Sequence, residues 1–192
     1  MSHPYLIAPR DYERMFRVIH GHLRNHFANP HKCCTFFSVI GAAILNVAHN
    51  VKGISVSGAA AFEYGLPKSI FLADGSSKFF THSADGFHSW IEADGWLIDL
   101  TSPLLPEYAN EANLGNAPRR MLQVPLTEEA LSPFELSQDH PFYLAADRDF
   151  TAERVDFVLE NSQFLKVAED CITAYRTGDA THLSDIRVTG AW

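Results

Sequence analysis

A histidine and an aspartate stand at the two ends of Gly86-Phe87-His88-Ser89-Trp90-Ile91-Glu92-Ala93-Asp94-Gly95-Trp96-Leu97-Ile98-Asp99, and the residues between them read as a hairpin. Asp94-Gly95 interrupts an apolar–polar alternation, and a two-residue primed turn needs the positive φ that such residues accept. With this pair as the loop, Ala93 pairs with Trp96, Glu92 with Leu97, Ile91 with Ile98 and Trp90 with Asp99. Side chains alternate faces along a strand, so His88, Trp90, Glu92, Leu97, Asp99 and Thr101 share one face. His88 and Asp99 become diagonal cross-strand neighbours, roughly 5–8 Å apart at the backbone and within reach of an imidazole–carboxylate hydrogen bond. That is a base with its orienting acid, and covalent chemistry then needs a nucleophile.

A nucleophile lies upstream, in Pro30-His31-Lys32-Cys33-Cys34-Thr35-Phe36-Phe37-Ser38-Val39-Ile40-Gly41-Ala42-Ala43-Ile44-Leu45. A helix-breaking proline leads into a segment that is apolar nearly all round, which predicts a buried helix. The cysteine pair falls at its start. A thiol there feels the positive end of the helix dipole and unpaired N–H groups, which favours the thiolate. Lys32 would act in the same direction, and the N–H groups would serve as an oxyanion hole. A one-residue change in the helix start exchanges Cys33 and Cys34.

Cys34-Thr35-Phe36-Phe37-Ser38-Val39, with Phe three positions and a small residue four positions after the cysteine, resembles the nucleophile helix of the papain-like and transglutaminase-like superfamily. His88-Ser89-Trp90-Ile91-Glu92, then Gly95-Trp96 and Asp99-Leu100-Thr101-Ser102-Pro103, resembles the transglutaminase-like histidine and aspartate strands, closest to a small bacterial branch. The order cysteine, histidine, aspartate is the superfamily's, and the resemblance covers roughly residues 30–105. It implies Cys34 as nucleophile, His88 as general base and Asp99 as orienter. It also implies an α+β fold with the nucleophile helix packed on an antiparallel sheet. Its Phe37-Ser38 spacing favours Cys34 over Cys33. The chain departs at three places: Lys32-Cys33 stand where transglutaminases carry Gly-Gln, Thr35 where they carry Trp, and Ala28 where papain-like enzymes carry an oxyanion-hole glutamine. Asn25 or Asn29 is the candidate substitute.

The expected activity is a cysteine-dependent hydrolase or acyltransferase acting on a peptide, amide, ester or amine substrate, without metal or organic cofactor. Two readings from other classes use the same residues: a non-catalytic binding module on the same fold, and a redox sensor built on the vicinal thiols. Zinc is the rival for His31, Cys33, Cys34, His82 and His88, but structural zinc sites use spaced pairs because adjacent side chains diverge. His82 reads first as a surface histidine, and otherwise as a residue that lines the cleft or shapes the loop before the hairpin. Trp90 is either a shield for the His–Asp pair or a core aromatic, and Glu92 stays outside the site.

The 192 residues suit a single domain, with a core over about 11–147 and a C-terminal helical elaboration over about 150–176. With 46% apolar and 20% charged residues, the composition is that of an ordinary globular protein. A net charge of −8 with no basic stripe excludes nucleic acid as the main partner. No apolar run reaches the roughly 18 residues of a membrane span, and the first residues lack a secretory signal, so the cytoplasm is expected. The 3 cysteines cannot form a disulfide framework. Cys171 falls on the apolar face of a helix and reads as a core thiol.

Helical spacing predicts a helix over 11–27, with Asp11 as cap or first-turn acid, and a second over 34–49. Strands are expected in 51–64, 69–72 and 121–124, and a strand or an edge-hugging connection at 142–145. Residues 104–118 read as loop, a single helical pattern runs from about Thr151 to Tyr175, and residues 177–192 read as a loosely held tail.

Overall fold

The computed structural model describes residues 5–65, 69–76, 78–188 and 190–191. Residues 1–4, read for a leader, lie outside them. The fold is α+β: a largely antiparallel sheet with helices packed against it.

Helix α1 (Pro9–Leu23) starts at a proline whose missing N–H costs nothing in a first turn, and Asp11 is its first-turn acid while Ala8 holds the cap position. Residues 24–26 continue only as turns, so the predicted helix ends early. Helix α2 (Cys34–Ile44) widens into a π-helical turn (Leu45–His49) and stops at Asn50, whose φ of 53° is left-handed. Together they cover the predicted 34–49.

Strand β1 (Gly53–Phe62) pairs antiparallel with β2 (Ile70–Leu72), β3 (His88–Ala93) and β6 (Phe142–Ala146). Strand β3 continues through the hairpin to β4 (Trp96–Asp99), which pairs with β5 (Arg120–Pro125). The register is the predicted one: Ile91 opposite Ile98, Glu92 opposite Leu97, Ala93 opposite Trp96. Asp94 and Gly95 take φ of 48° and 79°, as the primed turn requires.

The two faces of the hairpin enter two cores. Ile91, Ala93 and Ile98 pack with α1, α2 and the C-terminal helix, whereas Trp90 and Leu97 pack with Leu122, Val124, Leu105 and Ala109 on the other face. Leu105 and Ala109 belong to α3 (Leu105–Glu111), in the segment expected to be loop. Pro106 sits in its first turn, where proline is tolerated, and burial of Leu105 and Ala109 outweighs the local breaker signals.

The C-terminal third departs further from expectation. The single helical pattern is two helices, α4 (Arg148–Leu159) and α5 (Ser162–Thr177). Asn161 breaks the run because its side chain caps α5, accepting from the N–H groups of Gln163 and Phe164. The described residues 178–188 are not loose. Ser184 is fully buried, its N–H donates to Arg17 O, its carbonyl accepts from Arg17 Nε, and its hydroxyl lies 2.8 Å from His20 Nδ1. Gly21 permits this approach, since a Cβ there would fall 1.5 Å from His182 O. Strand β7 (Gly190–Ala191) then pairs parallel with β5, while Thr189 and Trp192 lie outside the described residues. No helix among the described residues is long and apolar enough to cross a membrane.

Candidate active site

Asp99 is the last residue of β4 and fully buried, and a buried carboxylate needs partners for both oxygens. Its Oδ2 lies 2.9 Å from His88 Nε2, and its Oδ1 accepts the Thr101 N–H at 2.7 Å. The Tyr12 hydroxyl of α1 donates to the Asp99 backbone carbonyl and accepts the Leu122 N–H. Helix α1 thus clamps the strand end that carries the acid. Burial and the Asp99 charge hold the Tyr12 phenol well above its usual range, so it stays a donor.

His88 opens β3 and is only 2% exposed. Its ring stacks on Trp90 with centroids 6.4 Å apart and meets Phe62 edge-on at 5.6 Å. Trp90 is therefore both the core aromatic and the shield, and its indole N–H donates to Glu92. Burial by itself would lower the imidazole's pKa. The Asp99 charge and hydrogen bond, with a hydrogen bond that the ring donates to the Cys34 sulfur, overcome it and raise His88 to about 10. With Nε2 taken by Asp99, Nδ1 is the nitrogen left for the thiol.

Cys34 is the first residue of α2, and Cys33 is its N-cap. The helix start is tied to the sheet by hydroxyl groups. Thr35 Oγ1 lies 3.2 Å from Ser89 Oγ, which is 2.7 Å from Ser57 Oγ, and Ser38 Oγ is 2.8 Å from Ser55 Oγ. Thr35 follows Cys34 and Ser89 follows His88, so this chain sets the thiol against the imidazole. Gly41 lets the same helix settle closely, since a Cβ there would meet Leu100 Cδ1 at 2.4 Å and Ile91 Cδ1 at 2.7 Å. The three predicted residues are thus brought together. The hydroxyl ties were not foreseen, although their period-two spacing on β1 and β3 was visible in Ser55, Ser57 and Ser89.

The two cysteines part company. Burial, with a smaller effect of Cys34, pushes the Cys33 thiol up to about 12, and Cys33 Sγ faces the Asn29 carbonyl at 3.7 Å. Cys171 is fully buried and also pushed up to about 12, mainly by burial, as its core reading requires.

Cys34 and His88 open on a cavity of about 290 Å³ that His31, Thr101, Leu105 and Tyr108 also line. Thr101 Oγ1 is buried there and has no hydrogen-bond partner among the described residues. His31 Nε2 and Lys32 Nζ each lie 2.9 Å from the Glu111 carboxylate, so Lys32 serves α3 rather than the thiol alone. Asn29 lines a second cavity, about 390 Å³, beyond Phe87, while exposed Asn25 faces His182. His82 is half-buried and packs on Phe150, with ring centroids 4.1 Å apart and planes tilted by 34°. Among the described residues no three His, Cys, Asp or Glu side chains gather as a metal site.

Residues 8–192 match the model of DUF2026, described as "Protein of unknown function (DUF2026)". The chain belongs to the DUF2026 family. A solved structure described as "The crystal structure of genomics APC5867" is similar to this DUF2026 chain over 99% of its length and 98% of the other, at 28% identity and a TM-score of 0.85. No curated protein matches.

Proposed function

We propose that the protein is a cysteine-dependent hydrolase or acyltransferase with the helix-on-sheet arrangement of papain-like and transglutaminase-like enzymes. The single observation carrying this reading is the chain of contacts from Asp99 through His88 to the Cys34 thiol, opening on a cavity. A carboxylate-backed imidazole with its pKa raised to about 10 is an effective acceptor for the thiol proton.

His88 Nδ1 takes the Cys34 proton, and the thiolate attacks the carbonyl carbon of an amide or ester. The first N–H groups of α2 have no intrahelical acceptor and meet the developing oxyanion. The imidazolium returns its proton to the leaving amine or alcohol as the carbon–nitrogen or carbon–oxygen bond breaks. Water or an amine, deprotonated by His88, then attacks the thioester and frees the thiol. Asp99 holds the imidazole tautomer and stabilises its charged form without taking the proton itself. Burial of Cys33, with its thiol held up to about 12, works against the redox reading.

Iodoacetamide tests the reading. Cys34 should label far faster than Cys33 and Cys171, and His88→Ala should slow that labelling. Uniformly slow labelling of all three thiols, or a rate indifferent to His88, would end the proposal.

A further inference from the structure

We infer that the cavity beyond Phe87 is the specificity subsite of this site, and that it takes an aromatic acyl group bearing a carboxylate, held by Arg154. The inference rests on the Cys34 reading for its role in turnover, but not for the binding it predicts.

The position is right for a substrate that crosses the thiol. Phe87 and Lys32 line both this cavity and the one holding Cys34 and His88, and Thr35, next to Cys34 on α2, lines it too. Its size suits more than a bare ring. A dry cavity of roughly 150 Å³ holds benzene, and this one offers about 390 Å³.

The walls select a flat apolar group. Phe27, Phe36, Phe87 and Phe157 line it, with Phe27 and Phe36 centroids 4.9 Å apart and Phe36 and Phe157 meeting edge-on at 6.5 Å. Such edges and faces favour a further aromatic ring over a polar chain.

Charge narrows the class. Lys32 and Arg154 line the cavity, and no Asp or Glu does so among the described residues. Arg154 is not a free surface arginine. Its guanidinium lies over three rings, 5.7 Å from Phe87, 5.0 Å from Phe150 and 5.8 Å from Phe157, so its fork is held in place. Glu153 takes one terminal nitrogen, Nη2. The buried Nε has no hydrogen-bond partner among the described residues. Glu153 leaves the other terminal nitrogen, Nη1, for a ligand in the cavity that Arg154 lines, and that planar edge suits a carboxylate better than a point cation would.

Calorimetry with N-acetylphenylalanine and its neutral amide tests the subsite without needing turnover. The acid should bind saturably and at least ~10-fold more tightly than the amide, as a charge-assisted pair implies. Arg154→Gln should bring the acid down to the level of the amide, Arg154→Lys should retain part of the preference, and Phe157→Ala should weaken both ligands. Circular dichroism checks that each variant is folded. No saturable binding at millimolar concentrations, equal binding of acid and amide, or an acid preference that survives Arg154→Gln would each overturn the subsite. Iodoacetamide labelling run in parallel separates the two claims. Fast Cys34 labelling without acid binding removes the subsite and leaves the thiol chemistry, while acid binding beside an inert Cys34 does the reverse.

Discussion

At the scale of single residues, the His88–Asp99 contact decides how the site behaves with pH. Asp99 is the principal group raising His88 to about 10 against the effect of burial. The charged imidazolium therefore persists well into alkaline solution. Hydrolysis of an activated ester such as 4-nitrophenyl acetate, corrected for the uncatalysed rate, should hold its rate up to an alkaline limb near 10. Asp99→Asn should move that limb down toward the ordinary histidine value of about 6.5 and lower the plateau by up to ~10⁴-fold, the loss seen when a triad carboxylate becomes an amide. An unmoved limb would mean that the carboxylate does not tune the ring. His88 and Asp99 were legible in advance because the turn between them is local. The Thr101 hydroxyl and the Arg154 Nε, without partners among the described residues, were not, since only packing shows which polar atoms are left over.

At the scale of elements, the proposed chemistry depends on how α2 seats on β1 and β3. The helix is apolar almost all round, so hydrophobic burial alone would tolerate several rotations about its axis. Two features select one. Thr35 and Ser38 bond serines on the strands, and Gly41 removes the side chain that would hold Leu100 and Ile91 away. Gly41→Ala should cost about 1–3 kcal/mol as Leu100 and Ile91 are forced to move. It should also slow Cys34 labelling beyond what the stability loss explains, because the thiol shifts with its helix. Urea unfolding and labelling on the same variant separate these effects. The helix was foreseen from its periodicity, whereas its rotation was not, because rotation is set by residues distant in sequence. Helix α3 was missed for a related reason: its prolines and asparagines spell loop locally, and the second core overrides them.

At the scale of the whole molecule, two buried histidines shape the pH dependence of stability in opposite senses. His88 binds its proton more tightly folded than unfolded, so its contribution is complete below about 6.5 and is lost as pH rises toward about 10. His20, lowered to about 4 chiefly by burial and then by Arg24, behaves oppositely. Its contribution is complete above about 6.5 and is lost as pH falls toward about 4. The urea midpoint should therefore peak near neutrality. Between pH ~6.5 and ~8.5, before cysteines titrate, a His88→Gln, Asp99→Asn double variant should lose most of the alkaline slope. A slope that survives would assign it to other groups. On the acid side, charging the buried His20 ring destabilises the place where Ser184 docks, so the C-terminal segment should be the first part to gain amide exchange.

What the amino-acid order determined by itself was whatever depends on near neighbours: the Asp94-Gly95 turn, the hairpin register, the shared face of His88 and Asp99, and the helix beginning at Cys34. These follow from φ preferences and from the two- and 3.6-residue periods, which act within a few residues. Tertiary structure alone decided how Ser57 and Ser89 lock the helix, why the C-terminal segment is docked, and that Arg154 comes to rest among aromatic rings. Those outcomes come from contacts between residues far apart in the chain, whose energy exists only once the core has closed around them.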